Sequence, residues 1–237
     1  MFLPASVRVP PNKAYRCEYC EDNRFVRFGV PFGDYRFGRL YPCPKCNQEG
    51  ITQRAGLFPN ERGLKLADIE TAGRPGAAEM VAAGRKLLGD KAGMLAIHGD
   101  YGNGKSTFLK ALTAEFIREG IEARYTTLAA LMQYARDAFD SQKAGDTDTG
   151  RIAEWAALPV VLVDECDKVR MSEYSREIQS YFFDVRYRRA NELVTVAAWN
   201  GRSDAIGLPW VESRFSEYRI INNRDADMRP LLGGSDE

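Results

Sequence analysis

The sequence predicts an α/β fold, a parallel sheet flanked by helices, preceded by a small cysteine-rich module. Three observations carry that expectation. A G-x-x-x-x-G-K-S/T run, Gly99 to Ser106, stands between a short apolar run and a helical one. A second aliphatic run, Val160-Val161-Leu162-Val163, ends on two carboxylates. Four of the five cysteines fall in two C-x-x-C pairs early in the chain. The composition suits one medium domain with a small appendage: 237 residues, 44% hydrophobic, and 33 basic side chains balanced by 33 acidic ones. That balance announces no nucleic-acid partner. No apolar stretch approaches the roughly 18 residues of a membrane span. The start lacks the basic-then-apolar order of a secretory leader. A cytoplasmic protein with no membrane partner is therefore expected.

Residues 1–63 read as a four-cysteine zinc-binding domain. Cys17 and Cys20, then Cys43 and Cys46, make two tight turns that can aim four thiolates at one point. Such a shell is closed to water, and neither His nor carboxylate shares it, so the site is structural rather than catalytic. Disulfides are the alternative, disfavoured in a reducing compartment. The runs Phe25–Phe28 and Tyr35–Phe37 read as short strands around a turn, giving a zinc-ribbon-like module. Metal binding, about 10 kcal/mol, would supply most of its stability. The interleaved aromatic and Arg residues fit a stacking platform for single strands. They fit packing or protein docking better. Cys166, the fifth cysteine, reads as a small buried residue.

Residues 64–90 read as linker and entry helix, with a turn at Gly73-Arg74-Pro75-Gly76 and a helix from Ala77 to Leu88. Met94–His98 reads as a buried strand and Thr107–Glu119 as a helix, so the glycine-rich run joins strand to helix. That context makes it a phosphate-cradling loop. Gly99, Gly102, Asn103 and Gly104 let successive N–H groups point at phosphate oxygens, and the helix beginning at Ser106 and Thr107 adds its positive end. Lys105 supplies a mobile charge for the outer phosphates, and Ser106 a hard oxygen for Mg²⁺. A nucleoside triphosphate is the expected ligand.

The remaining elements alternate across 91–237: strand 123–127, helices 128–140 and 151–157, strand 160–164, helix 172–190, strand 193–199 and strand 218–222. The strand 160–164 reads as buried on both faces, delivering Asp164 and Glu165 to the crevice where such sheets bind ligands. Asp164 would hold Mg²⁺ through water, while Glu165 would orient and deprotonate the attacking water. Asn200 ends the next strand, where it can reach the γ-phosphate or that water. Arg214 can project toward a neighbouring subunit's nucleotide as an arginine finger. Arg186, Arg188 and Arg189 form a basic cluster that reads as solvated charge complementing a helix dipole.

The order of phosphate loop, V-x-V-D-E strand, Asn-tipped strand and late Ser213-Arg214-Phe215 resembles the AAA+ ATPases. It is similar in particular to the DnaC and DnaI helicase loaders and their IstB-type relatives. The resemblance covers residues 64 to about 230 and implies a P-loop AAA+ core without a full C-terminal lid. It implies an ATPase, weak unless oligomeric, with ATP, Mg²⁺ and Zn²⁺ as cofactors. Lys105, Ser106, Asp164 and Glu165 would serve the nucleotide, Asn200 would be its sensor and Arg214 the finger. Arg229 is the nearest candidate for a second sensor. The implied partners are a hexameric replicative helicase, gripped by the zinc domain, single-stranded DNA, and further copies of the chain. The alternative is an IstB- or TnsC-like transposition ATPase that assembles on duplex DNA and contacts a transposase.

Overall fold

A module of about fifty residues has little apolar surface to bury, and its strands are correspondingly short. The computed structural model describes residues 17–27, 29, 31–32, 37–38, 40–43, 45, 48–138, 147–207 and 209–228. The chain divides into two units, Met1–Gly50 and Ile51–Glu237. In the first, β1 (Phe25–Val26) pairs antiparallel with β2 (Tyr41–Pro42), and the Cys43 N–H extends the ladder by donating to the Arg24 carbonyl at 2.7 Å. The second strand thus falls at Tyr41–Pro42. Of the run Tyr35–Phe37 only Phe37 is described, and it lies in a turn.

A short helix, α1 (Gln48–Gln53), runs across the division. In the second unit follow α2 (Pro75–Asp90), β3 (Gly93–Gly99), α3 (Lys105–Arg118), β4 (Ala123–Thr127), α4 (Leu128–Arg136), α5 (Asp148–Ala156), β5 (Val160–Asp164), α6 (Glu173–Arg188), β6 (Val194–Ala198), α7 (Pro209–Ser216) and β7 (Ile220–Asn223). Local chemistry sets several boundaries. Pro75 opens α2 at a position where its missing N–H costs nothing, and Lys91 closes it in a left-handed conformation. Thr127 and Thr147 cap α4 and α5 by accepting from Ala130 and Gly150 N–H, and Ser172 with Ser175 caps α6 reciprocally. Helix α4 stops at Arg136, short of the expected Asp140, with Asp137 as its C-cap.

The five long strands form one parallel sheet in the order β4-β5-β6-β3-β7. Side chains alternate along a strand, so strands that are apolar throughout need cover on both faces. Leu95, Ile97, Val160, Leu162, Val194 and Val196 join one cluster with residues of α2 and α3. Met94, Ala96, Val161, Val163 and Ala197 join the other with residues of α4 to α7. On α3 the buried residues Phe108, Leu109, Leu112 and Phe116 recur at helical spacing. Each contributes about 1.5–3 kcal/mol of burial. No helix among the described residues is long and apolar enough to cross a membrane.

Residues 51–63, placed with the cysteine module by composition, contribute Ile51, Ala55 and Leu57 to the core of the second unit. The Tyr125 N–H on edge strand β4 donates to the Ala55 carbonyl at 2.8 Å. This segment therefore covers part of an otherwise open sheet edge. All five strands run the same way, so their C-terminal ends share one rim. Sequence order reverses beside β3, which lies between β6 and β7. That is the place where open α/β sheets bind ligands.

Candidate nucleotide site and metal centre

At that rim a cavity of about 640 Å³ is lined by residues 101–107, Asp164, Glu165, Lys168, Asn200 and Met228. It is large enough for a small ligand, and its convergent polar groups come from three strand ends and one helix start. The loop between β3 and α3 needs glycine at Gly102: φ is +73°, and a Cβ there would collide with the Asp227 carboxylate. Lys105 is buried at the first position of α3, its ammonium donating to Gly99 O at 3.0 Å, Asp100 O at 2.6 Å and Asn103 Oδ1 at 3.0 Å. Burial pulls its pKa below the ordinary lysine value, against the opposing carboxylates of Asp164, Asp167 and Asp100. Ser106 and Thr107 are exposed to the cavity on the first turn of the same helix. Gly99 stands behind the loop, where its carbonyl accepts from Gly201 N–H at 3.2 Å.

Asp164 ends β5 at only 3% exposure. Its Oδ1 accepts from the Glu165 N–H at 2.8 Å and its Oδ2 from the Tyr125 hydroxyl at 2.9 Å. Burial and the adjacent Asp164 charge push the Tyr125 hydroxyl well above its usual pKa, so it remains a donor. Glu165 is half-exposed and holds φ at +52°, a left-handed conformation rare outside glycine that turns the chain sharply at the rim. Asn200 follows β6, and Asp167 fixes it by accepting from its backbone N–H at 3.1 Å and its side-chain amide at 3.3 and 3.4 Å. The structure thus brings the loop residues Gly102 to Thr107, Asp164, Glu165 and Asn200 around one cavity.

Arg214 is placed elsewhere. On α7 its Nη2 pairs with Asp184 Oδ1 at 2.6 Å, and its guanidinium lies between the rings of Tyr187 and Trp210 at 4.9 and 4.6 Å. It does not line the cavity of its own chain. Arg229 lies outside the described residues.

Several groups at the site escaped the sequence reading. Asp167, Lys168 and Tyr125 carry no motif of their own, although Asp167 and Lys168 follow the acidic pair directly. Asn103 and Asn223 exchange hydrogen bonds at 2.8 and 3.0 Å, joining the loop to β7. The segment after β7 then crosses the loop: Asp225 accepts from Gly76 and Ala77 N–H at the start of α2, and Met228 N–H donates to Gly102 O at 2.9 Å. Only a tertiary fold brings these pairs together.

In the cysteine unit, Cys17, Cys20 and Cys43 are buried, with their sulfurs within 4.8 Å of one another. The Cys17 and Cys43 sulfurs lie 3.7 Å apart. A tetrahedron with metal–sulfur bonds of about 2.3 Å has edges of about 3.8 Å, so the three thiols fit a zinc ion. Among the described residues these three cysteines form no disulfide with one another. Cys46, the fourth expected ligand, lies outside the described residues. Ser106 and Asp164 both line the rim cavity, and a hydroxyl with a carboxylate is an oxygen donor set of the kind that suits Mg²⁺.

No protein-family model and no curated protein sequence matches this chain. Solved structures do. The fold is shared with structures of helicase loaders and replication initiators. The DnaC helicase loader matches with TM-score 0.57 at 18% identity, covering 70% of this chain and 100% of that one. DnaI matches with TM-score 0.58 at 15% identity, covering 77% and 100%. The replication initiator DnaA, bound to AMPPCP and single-stranded DNA, matches with TM-score 0.60 at 15% identity, covering 72% and 51%. The chain spans about half the length of the initiator structures it matches.

Proposed function

We propose that this chain is a AAA+ ATPase that loads a hexameric replicative helicase onto single-stranded DNA, using ATP binding and hydrolysis as an assembly and release switch. One observation supports this most: Lys105, Ser106, Asp164, Glu165 and Asn200 meet at one cavity, on a fold similar to the full length of the DnaC and DnaI structures.

Each residue has a task in that reading. Lys105 exchanges its loop carbonyls for phosphate oxygens, because a charged partner outcompetes neutral ones in a buried setting. Ser106 and, through water, Asp164 would hold a Mg²⁺ ion, which would supply charge neutralisation at the phosphates. Glu165 orients a water and accepts its proton as it attacks. Asn200, braced by Asp167, contacts the γ-phosphate or that water. Arg214 acts in trans, completing the site of an adjacent copy after leaving its Asp184 partner. The zinc-bound cysteine module is the structural grip on the helicase.

Mass photometry of the chain mixed with its own system's hexameric helicase, with and without ATP, tests the proposal. The expected result is a joint complex that Cys43→Ser abolishes while nucleotide binding persists. Folded, zinc-loaded protein that never joins the helicase overturns it; growth on duplex DNA under the same conditions would then establish the transposition-type reading.

A further inference from the structure

Tyr125 lies on β4, the sheet edge farthest from the phosphate loop's own strand on that side, yet its hydroxyl ends on the acidic pair. Asp164 has two oxygens to satisfy at 3% exposure. One accepts from a backbone N–H that its own turn provides. The other accepts from Tyr125, so that hydroxyl fixes the plane of the carboxylate. Packing alone would be served by phenylalanine. The hydroxyl of a half-buried tyrosine aimed at a buried carboxylate signals positioning, because hydrogen bonds to charged groups are among the strong ones and direct their acceptor.

Tyr125 is itself clamped. Its N–H donates to Ala55 O at 2.8 Å, and a Cβ on Gly56 would run into its carbonyl. Lys110 Nζ stands 5.4 Å from the ring centroid, held there by Glu61 Oε1 at 2.6 Å. Glu61 in turn accepts from the Phe58 N–H at 2.9 Å, which ties the ion pair to the backbone of the same segment. The stretch 55–61 therefore touches the tyrosine by backbone, by close approach and through a cation over its ring. These are the residues that leave α1.

We propose that Tyr125 is a positioning residue of the nucleotide site: its hydroxyl holds Asp164 in the orientation that Mg²⁺ uses, and the segment 55–61 sets where that hydroxyl stands. The inference rests on the nucleotide reading above and adds to it a residue outside every motif. It also gives the first stretch of the second unit a route to Asp164. Partners that orient a metal-binding side chain typically change metal affinity 10- to 100-fold when lost. Asp164 would act through water, so the effect belongs at about tenfold, the lower end of that range.

The test is a titration of a fluorescent ATP analogue into the full chain, in Mg²⁺ and in EDTA, with a thermal melt alongside. Wild type, Tyr125→Phe and Glu61→Gln are compared by the gain in affinity that Mg²⁺ confers. Tyr125→Phe is expected to lower that gain about tenfold and leave the affinity in EDTA unchanged. Glu61→Gln is expected to lower it roughly two- to threefold. A wild-type gain in Tyr125→Phe, or an equal loss in both conditions that follows the melt, overturns the positioning role. A wild-type gain in Glu61→Gln alone overturns the part assigned to the segment. A wild-type chain that binds no nucleotide in either condition overturns the nucleotide reading, and this one with it.

Discussion

Arg186 is fully buried although it belongs to the basic cluster that reads as solvated charge. Its Nε donates to Thr195 Oγ1 at 2.7 Å and its Nη1 to Ala156 and Leu158 carbonyls at 3.2 and 2.6 Å. Its Nη2 donates to the Val194 carbonyl. One guanidinium thus ties the end of α5 and the turn after it to β6. Composition treats Arg186, Arg188 and Arg189 alike, but Ile178, Phe182 and Arg186 recur every four residues on one face of α6, and that periodicity was the available signal. Arg186→Met leaves several carbonyls without donors and is expected to lower unfolding free energy in urea by about 3 kcal/mol. At the cavity, Glu165→Gln keeps the shape of the site and removes the proposed base. It is expected to bind ATP as wild type does and turn it over at least about 100-fold more slowly, as a phosphate-release assay reads it.

At the scale of elements, the long strands were the most legible features, because an uninterrupted aliphatic run of four residues has few other places to go. The run that became β5 matches its expected limits and ends on Asp164. The glycine-rich loop between β3 and α3 was equally plain, since glycine, lysine and serine at fixed spacing encode a local shape. The cysteine unit was less so. Its strands are two residues long and set by the turns around Cys20 and Cys43 rather than by propensity, so the second strand settled at Tyr41–Pro42. The partners Tyr125, Asp167 and Asn223 left no local trace either, because each acts on a residue that only folding brings near. Zinc removal belongs at this scale. Chelation is expected to release one zinc per chain and melt the unit ending at Gly50, while the second unit, with its own apolar core, keeps its helical circular dichroism.

For the whole molecule, the separation of Arg214 from its own cavity has a consequence. If it completes a neighbour's site, turnover per chain rises with protein concentration, and Arg214→Ala removes that rise while leaving ATP affinity intact. The expected loss at high concentration is about 1,000-fold, the scale of a missing arginine finger. In that case Arg214 would first have to leave Asp184 and the rings of Tyr187 and Trp210, so assembly and activation would become one event. In the proposed function the cysteine unit would hold the partner, the rim cavity would report ATP, and Arg214 would report a neighbour.

The most direct measurement follows helicase retention on a covalently closed circle of single-stranded DNA, which a closed ring cannot thread unaided. With ATP and the wild-type chain, the helicase is expected to remain on the circle after a salt wash, and the chain itself to leave. With Glu165→Gln, both are expected to stay. Helicase that reaches the circle equally well without this chain, or not at all with it, would contradict the loader account.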